Sequence, residues 1–244
     1  MGINTRIIFA TGLIAIAPVL ASPNVHSSAE SPDSFIPPYS ATYSTVWKKG
    51  ISLKVEGTQT LSKTSDNVWN FKFKASTLIA SLHEEVSFTK QDETIVPLSY
   101  FYKSQVLGKK RKATLTFDWD KNTVKNDIKN KPWNMKIEEG TIDKLGVQLQ
   151  IRNDLRNHKK DLTYKIADGG HVKHWSFARR GTETIDTKIG RVNAIKVERT
   201  DNTSKKKQTY FWFAPSLNYL LVKMEHYEDG ESYKLNLEKL NEKG

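Results

Sequence analysis

Strict alternation of apolar and polar residues, repeated along the length of the chain, narrows the available folds more than any other feature. Ile51, Leu53 and Val55 alternate with Ser52, Lys54 and Glu56, and Trp69, Phe71 and Phe73 alternate with Asn70, Lys72 and Lys74. The same period returns at Leu115, Phe117 and Trp119 and at Tyr233, Leu235 and Leu237. A period of two places each apolar set on one face of a strand, and a slip of one residue would turn that set to water, so register is tightly specified. Between these runs stand Lys49-Gly50, Ser65-Asp66-Asn67, Asp120-Lys121-Asn122, Asp168-Gly169-Gly170 and Asp229-Gly230, all suited to tight turns. Connections this short favour an antiparallel meander, since parallel pairing needs about a dozen or more linking residues.

One segment departs from the pattern. From Asp143 to Lys159 the spacing of Val147, Ile151 and Leu155, joined by Leu145 and Leu149, follows the helical period, while Gln148, Arg152 and Arg156 form a polar stripe. This predicts one amphipathic helix over about 143–159, with Thr141 or Asp143 as cap and basic residues at its end. A lone helix among many strands must cover its apolar face, either by packing over the sheet or by plugging a cavity in it. The expected fold is therefore mainly β: a single curved antiparallel sheet or incomplete β-barrel with one helix packed against it.

At the start of the chain, Arg6 precedes an apolar run from Ile7 to Leu20 and a small residue at Ala21. That order of charge, apolar stretch and small side chain is what an export signal requires, with cleavage between Ala21 and Ser22. The run falls short of the about 20 apolar residues that span a bilayer, and Gly12 and Pro18 weaken it further as a helix. Residues 22–38 are rich in Ser, Pro and Asn and read as a flexible leader. Residues 39–244 then form one domain, with no linker and no repeat of fixed period. The expected location is the periplasm, with no transmembrane span in the mature protein.

The formal net charge is +11, and loss of Arg6 with the signal leaves 11 − 1 = +10. A basic envelope protein meets phospholipid head groups and other anionic surfaces, whereas nucleic acid is mostly absent there. The densest run is Lys109-Lys110-Arg111-Lys112, with a second at Lys205-Lys206-Lys207. No nucleic-acid motif or aromatic interleaving accompanies them, so the first run is either a solvated hairpin tip or a contact for an anionic surface. The absence of Cys excludes a lipidated cysteine, disulfides and thiolate metal sites.

Catalytic signatures are missing. His171-Val-Lys-His174 has a spacing that sends the two rings to opposite faces of a strand, and zinc needs three or four converging ligands. Asp118-Trp-Asp120-Lys-Asn122 opens like a calcium loop, then places Thr123 at the glycine position and Lys129 where a bidentate Glu belongs. His83-Glu84-Glu85 lacks the second His of a zinc-protease helix and reads as a strand with an exposed acidic pair. No nucleophile elbow, phosphate loop or dinucleotide fingerprint occurs. No catalytic residue, metal ligand or cofactor is expected. Paired carboxylates acting on cell-wall glycan stay open, because their separation in space is the diagnostic quantity.

Aromatic residues are plentiful, with six Trp, nine Tyr and ten Phe. They serve either core and cross-strand packing or the lining of an apolar cavity, for which Trp47, Trp69, Phe71, Phe73, Phe117, Trp119 and Trp212 are the candidates.

The second half of the chain carries Asp143-Lys-Leu-Gly-Val-Gln-Leu-Gln-Ile-Arg152, then Gly181-Thr-Glu183-Thr-Ile185 with Gly190-Arg-Val-Asn-Ala-Ile195, then Tyr210-Phe-Trp212-Phe-Ala214-Pro215 leading to Tyr219. In order and spacing these residues resemble the bacterial envelope family called domain of unknown function 3108. The resemblance extends over about Tyr39 to Leu240 and implies an exported, mainly antiparallel β domain, with no established activity. Leu220-Leu221-Val222 stands where that family often has a proline, which implies a more regular strand here. Of the motif residues, Asp143 and Glu183 are the titratable ones with a possible role beyond turn and cap. Three functions follow as alternatives: a non-enzymatic periplasmic protein that binds or carries a lipophilic component, an envelope scaffold with a filled core, and a glycan-acting enzyme.

Overall fold

A computed structural model describes residues 35–49, 51–128, 131–202 and 206–242, with side chains for all of these except 47–49, 51–53 and 242. The proposed cleavage site at Ala21 and Ser22 and the side chain of Trp47 lie outside this description. The first eight strands are β1 (Tyr39–Lys49), β2 (Ile51–Ser65), β3 (Val68–Ser76), β4 (Ala80–Gln91), β5 (Thr94–Val106), β6 (Lys109–Asp118), β7 (Thr123–Ile128) and β8 (Lys131–Lys136). After β9 (Thr141–Ile142) comes the helix α1 (Gly146–Arg156). The chain ends with β10 (Leu162–Asp168), β11 (His171–Thr187), β12 (Gly190–Arg199), β13 (Lys207–Ala214), β14 (Leu220–Glu228) and β15 (Glu231–Glu242).

All the strands form one sheet in which β1 lies in the middle. The chain meanders outward from β1 to the edge strand β8, crosses through β9 and α1 to the opposite edge, and returns from β10 to β15, which pairs with β1. Every pairing is antiparallel except the short one between β9 and β10. The turns fall where the sequence signals stood, including Asn122 at φ 50 and Asp229-Gly230 at φ 47 and 81, a left-handed pair that matches the twist of a two-residue hairpin. The two edges come together by packing rather than by pairing. Trp133 of β8 lies so close to the β10–β11 turn that a Cβ on Gly170 would stand 2.5 Å from its Nε1. The sheet is thus a curled, incomplete barrel.

Inward-pointing residues of the alternating runs make the core. Trp69, Phe71 and Phe73 of β3, Val86 and Phe88 of β4, and Leu115 and Phe117 of β6 are buried together with Tyr39, Ala41 and Tyr43 of β1. Gly57 is required where β2 crosses Phe73, because a Cβ there would stand 2.4 Å from the ring. A second cluster joins Tyr164, Phe177, Val197, Phe211, Phe213 and Met224 from β10 to β14. Helix α1 connects the two clusters: Leu149 belongs to the first, and Val147, Ile151 and Leu155 belong to the second.

The helix is shorter than its sequence expectation. It runs over 11 residues rather than about 143–159, and nine of the 11 are buried. It ends where Asn157 and His158 leave helical geometry, His158 at φ 55. Its polar stripe faces protein, not water. Arg152 is 5% exposed, donates through Nε to Asn218 O at 3.0 Å and lies over the Tyr39 ring. Gln148 accepts from Gln59 at 2.6 Å. Gln150 and Asn153 donate to Glu93 O, and Tyr164 donates to Asp154 at 2.8 Å. Partners of this kind offset the cost of burying polar groups, so the helix is a plug with its own internal polar lining.

Candidate functional site

Asp143 organises the start of α1. Its Oδ1 accepts from Leu145 N–H at 2.9 Å and Gly146 N–H at 2.8 Å, which satisfies two donors that a helix start leaves free. Its Oδ2 has no partner and occupies the space that a Cβ on residue 146 would need, at 2.7 Å. Burial pushes the Asp143 carboxyl up to about 7 against the pull of those two N–H groups, and the charge of Glu84 raises it further.

His83, Glu84 and Glu85 divide between the two faces of β4, which corrects the expected exposed pair. Glu84 points inward and accepts from Tyr100 OH at 2.6 Å, and burial raises its pKa although Tyr100 and Lys144 favour the charge. Glu85 points outward to Asn70, His83 and Lys72. Burial opposes its charge, but these three partners outweigh that effect and hold its pKa low. Asp143 is closed off from solvent at 0% exposure, so it and Glu84 do not flank an open cleft of the kind glycan hydrolysis needs. Glu183 is held by Trp212 Nε1–H at 2.8 Å and Lys196 at 3.0 Å, which lower its pKa. It ties the Gly181–Ile185 motif to the Tyr210–Pro215 motif.

The aromatic candidates whose side chains are described meet in the first core cluster, with Trp119 packed at its margin. Trp69 (4% exposed) packs with Phe35 and Phe88, Phe71 and Phe73 lie beside it in the same core, and Phe117 stacks on Trp119 at 5.8 Å. Trp119 donates to Pro97 O at 2.8 Å. Trp212 is buried beneath the ammonium groups of Lys196 and Lys223, 5.2 and 4.4 Å from its ring. His171 and His174 are both exposed on β11, opposite Asp168 and Lys165. Asp118 Oδ1 accepts from Lys121 N–H in a polar turn, as its sequence suggested.

A groove of about 610 Å³ lies over β2 to β5. Register builds one wall of it. Thr58 pairs with Lys74, Lys74 with His83, and His83 with Lys103, so these four side chains form one row across four strands. Glu56, Ala75 and Leu82 also line the groove. The row continues to Lys112, directly opposite Lys103 on β6. Like charges in that position destabilise a sheet. No carboxylate among the described residues pairs with Lys74, Lys103, Lys110 or Lys112, whereas Lys144, Lys173, Arg180, Arg191 and Lys196 on the other half are matched. The strand also splits the Lys109–Lys112 run: Lys110 and Lys112 share a face with Lys103, and Lys109 and Arg111 take the other. Sequence reasoning missed Lys74, His83 and Lys103. Part of the signal was the symmetry of Lys103 and Lys112 about the 107–108 turn, whereas the pairing of His83 with Lys103 depends on a register shift that no local pattern marks.

Fold and site together define a barrel-like β domain wound about one helix, with a row on one side in which Lys74, Lys103 and Lys112 have no acidic partner among the described residues. The chain belongs to the family described as "Protein of unknown function (DUF3108)", which matches residues 39–238. None of the curated proteins matches it. Among solved structures it is similar to a beta-barrel-like protein of domain of unknown function DUF1849 from Brucella abortus, at 10% identity and a TM-score of 0.58, covering 86% of this chain and 99% of that one. That likeness shows the fold. LprF from Mycobacterium bovis aligns at 13% identity and TM-score 0.30 over 85% of this chain and 87% of its own. A putative outer membrane lipoprotein-sorting protein domain from Vibrio parahaemolyticus aligns at 11% and 0.23 over 84% and 85%. No helix among the described residues is long and apolar enough to cross a membrane.

Proposed function

We propose that this chain is a non-enzymatic binding protein of the periplasm whose ligand joins an anionic group to an apolar part and seats in the groove over β2 to β5. The observation that carries this reading is the groove's lining, in which Lys74 and Lys103 stand without acidic partners among the described residues, beside Glu56, Ala75 and Leu82. A few polar groups in a concave, partly apolar site fix orientation while the apolar contacts supply affinity. Helix α1, with nine of its 11 residues buried, takes up part of the interior, so the ligand is assigned to the groove rather than to the aromatic core.

Titration with short-chain phosphatidic acid below its micelle concentration tests this. Saturable binding is expected, and the Lys74→Gln/Lys103→Gln variant should bind about tenfold more weakly, equivalent to about 1.4 kcal/mol. Equal affinity in variant and parent would overturn the groove assignment. The buried helix also favours a second reading, a scaffold that docks a partner protein, for which native mass spectrometry of protein taken from its envelope would show a bound polypeptide and no small ligand. Export is part of the first proposal. N-terminal sequencing of the mature protein should begin at Ser22, and a chain that keeps Met1 would remove the periplasmic assignment.

A further inference from the structure

We propose that the turns at 77–79 and 107–108 form an edge that docks on the surface of a bilayer containing anionic lipid. Five large apolar side chains are exposed among the described residues, and three of them meet here: Leu78 at 104%, Leu107 at 59% and Ile79 at 44%. The two turns are joined, Leu107 N–H donating to Ile79 O at 3.0 Å. Water solvates such a patch poorly, and patches of this kind mark contact with another apolar phase.

Leu107 has no reason from folding to be there. With Val106 paired to Lys109, Leu107-Gly108 is a two-residue hairpin turn with φ 47 and 78. This turn favours Asn, Asp or Gly at its first position, because the left-handed region crowds a bulky side chain. The β14–β15 hairpin, with the same pair of angles, uses Asp229-Gly230, and the turns after β4 and β6 use Asp92 and Asn122. A leucine pointing into water at a strained position is what an inserting tip requires.

Charge supplies the second half of the argument and names the occupant. Residues 74–83 and 103–112 contain no Asp or Glu, and they carry six positive charges: Lys74, Lys103, Lys109, Lys110, Arg111 and Lys112. All six are exposed, and none has an acidic partner among the described residues. Apolar tips with a collar of basic residues just behind them match the apolar boundary and anionic head groups of a membrane leaflet, to which each near-surface lysine adds about fivefold in affinity. Turns this short insert only to the head-group boundary, so the attachment is reversible.

Leu107→Asn separates docking from folding. It suits the turn better than leucine, so its thermal midpoint should equal or exceed that of the parent, while it removes an inserting side chain. In co-sedimentation with phosphatidylcholine vesicles containing about one-third phosphatidylglycerol, the parent should partition to lipid. Vesicles of phosphatidylcholine alone should retain much less. Leu78→Ser/Leu107→Asn should lower partition at least about tenfold at about 0.1 M salt. Lys109→Gln/Arg111→Gln, on the face away from Lys103, should lower it about 25-fold, an effect that fades at about 0.5 M salt. These four residues do not line the groove, so ligand binding there should persist in both variants and the two proposals fail independently. The docking proposal is overturned if the parent ignores the anionic vesicles. It is equally overturned if the loop variant binds them as the parent does, which would leave an attraction of charge alone such as an acidic protein would also satisfy.

Discussion

Ile151→Ala is expected to lower the free energy of unfolding by about 2–5 kcal/mol, close to the upper end of that range. The side chain is 0% exposed and sits on a helix enclosed by the second core cluster on one side and the first on the other. Truncation removes three methyl or methylene groups from water-free surroundings and leaves a cavity that strands anchored in a continuous sheet cannot close. On a surface helix the chain would relax or water would enter, and the cost would be smaller. Ile189→Ala, at 40% exposure in the β11–β12 turn, supplies the contrast and should stay within about 0.5 kcal/mol. Urea unfolding of both variants, with unchanged m-values, checks the pair. A cost below about 1 kcal/mol at Ile151 would show that α1 is not the barrel's plug.

That contrast marks where the sequence stopped being informative. Strands and hairpins were legible because their cause is local: alternation at Trp69, Phe71 and Phe73 picks the buried face, and Asp229-Gly230 picks the turn. The helix was legible for the same reason, through Val147, Ile151 and Leu155. Its surroundings were not. A polar stripe on an amphipathic helix looks the same whether water or protein satisfies it, and the groups that satisfy Gln150, Asn153 and Arg152 are Glu93, 57 and 60 residues away, and Asn218, 66 away. No window along the chain holds both members of such a pair. The groove was hidden in a different way. Lys74, His83, Lys103 and Lys112 are scattered in sequence and become a row only when three hairpins fix register, one of them through the irregularity between Ser87 and Phe88. Glu84 was within reach, since adjacent residues on a strand face opposite sides and an exposed pair at 84 and 85 contradicts the alternation that predicted the strand.

Stability should fall as pH rises from about 4 to about 7, and Asp143→Asn should remove much of that slope. In the folded chain the Asp143 carboxyl keeps its proton up to about 7, whereas in the unfolded chain it releases it near 3.8. Between those values the folded state binds more protons, so ∂ΔG/∂pH of unfolding is negative. The contribution is complete below the unfolded pKa and disappears as pH passes through the folded one. At about 1.4 kcal/mol per unit, a rise of about three units corresponds to at most about 4 kcal/mol. Glu84, also raised, adds in the same direction. Asp168, Glu225 and Glu228 act oppositely, because burial is outweighed at the first two by their lysine partners and Lys207 holds the third low. Their stabilisation is present above about 4 and lost in more acid solution, which places the optimum at mildly acidic pH. Asn keeps an acceptor for Leu145 and Gly146 N–H while removing the charge, so the variant should melt higher than the parent at pH about 8 and no higher at pH about 5. Parallel melting curves for parent and variant across that range would mean that Asp143 ionises freely, and hence that water reaches the start of the helix from inside the barrel.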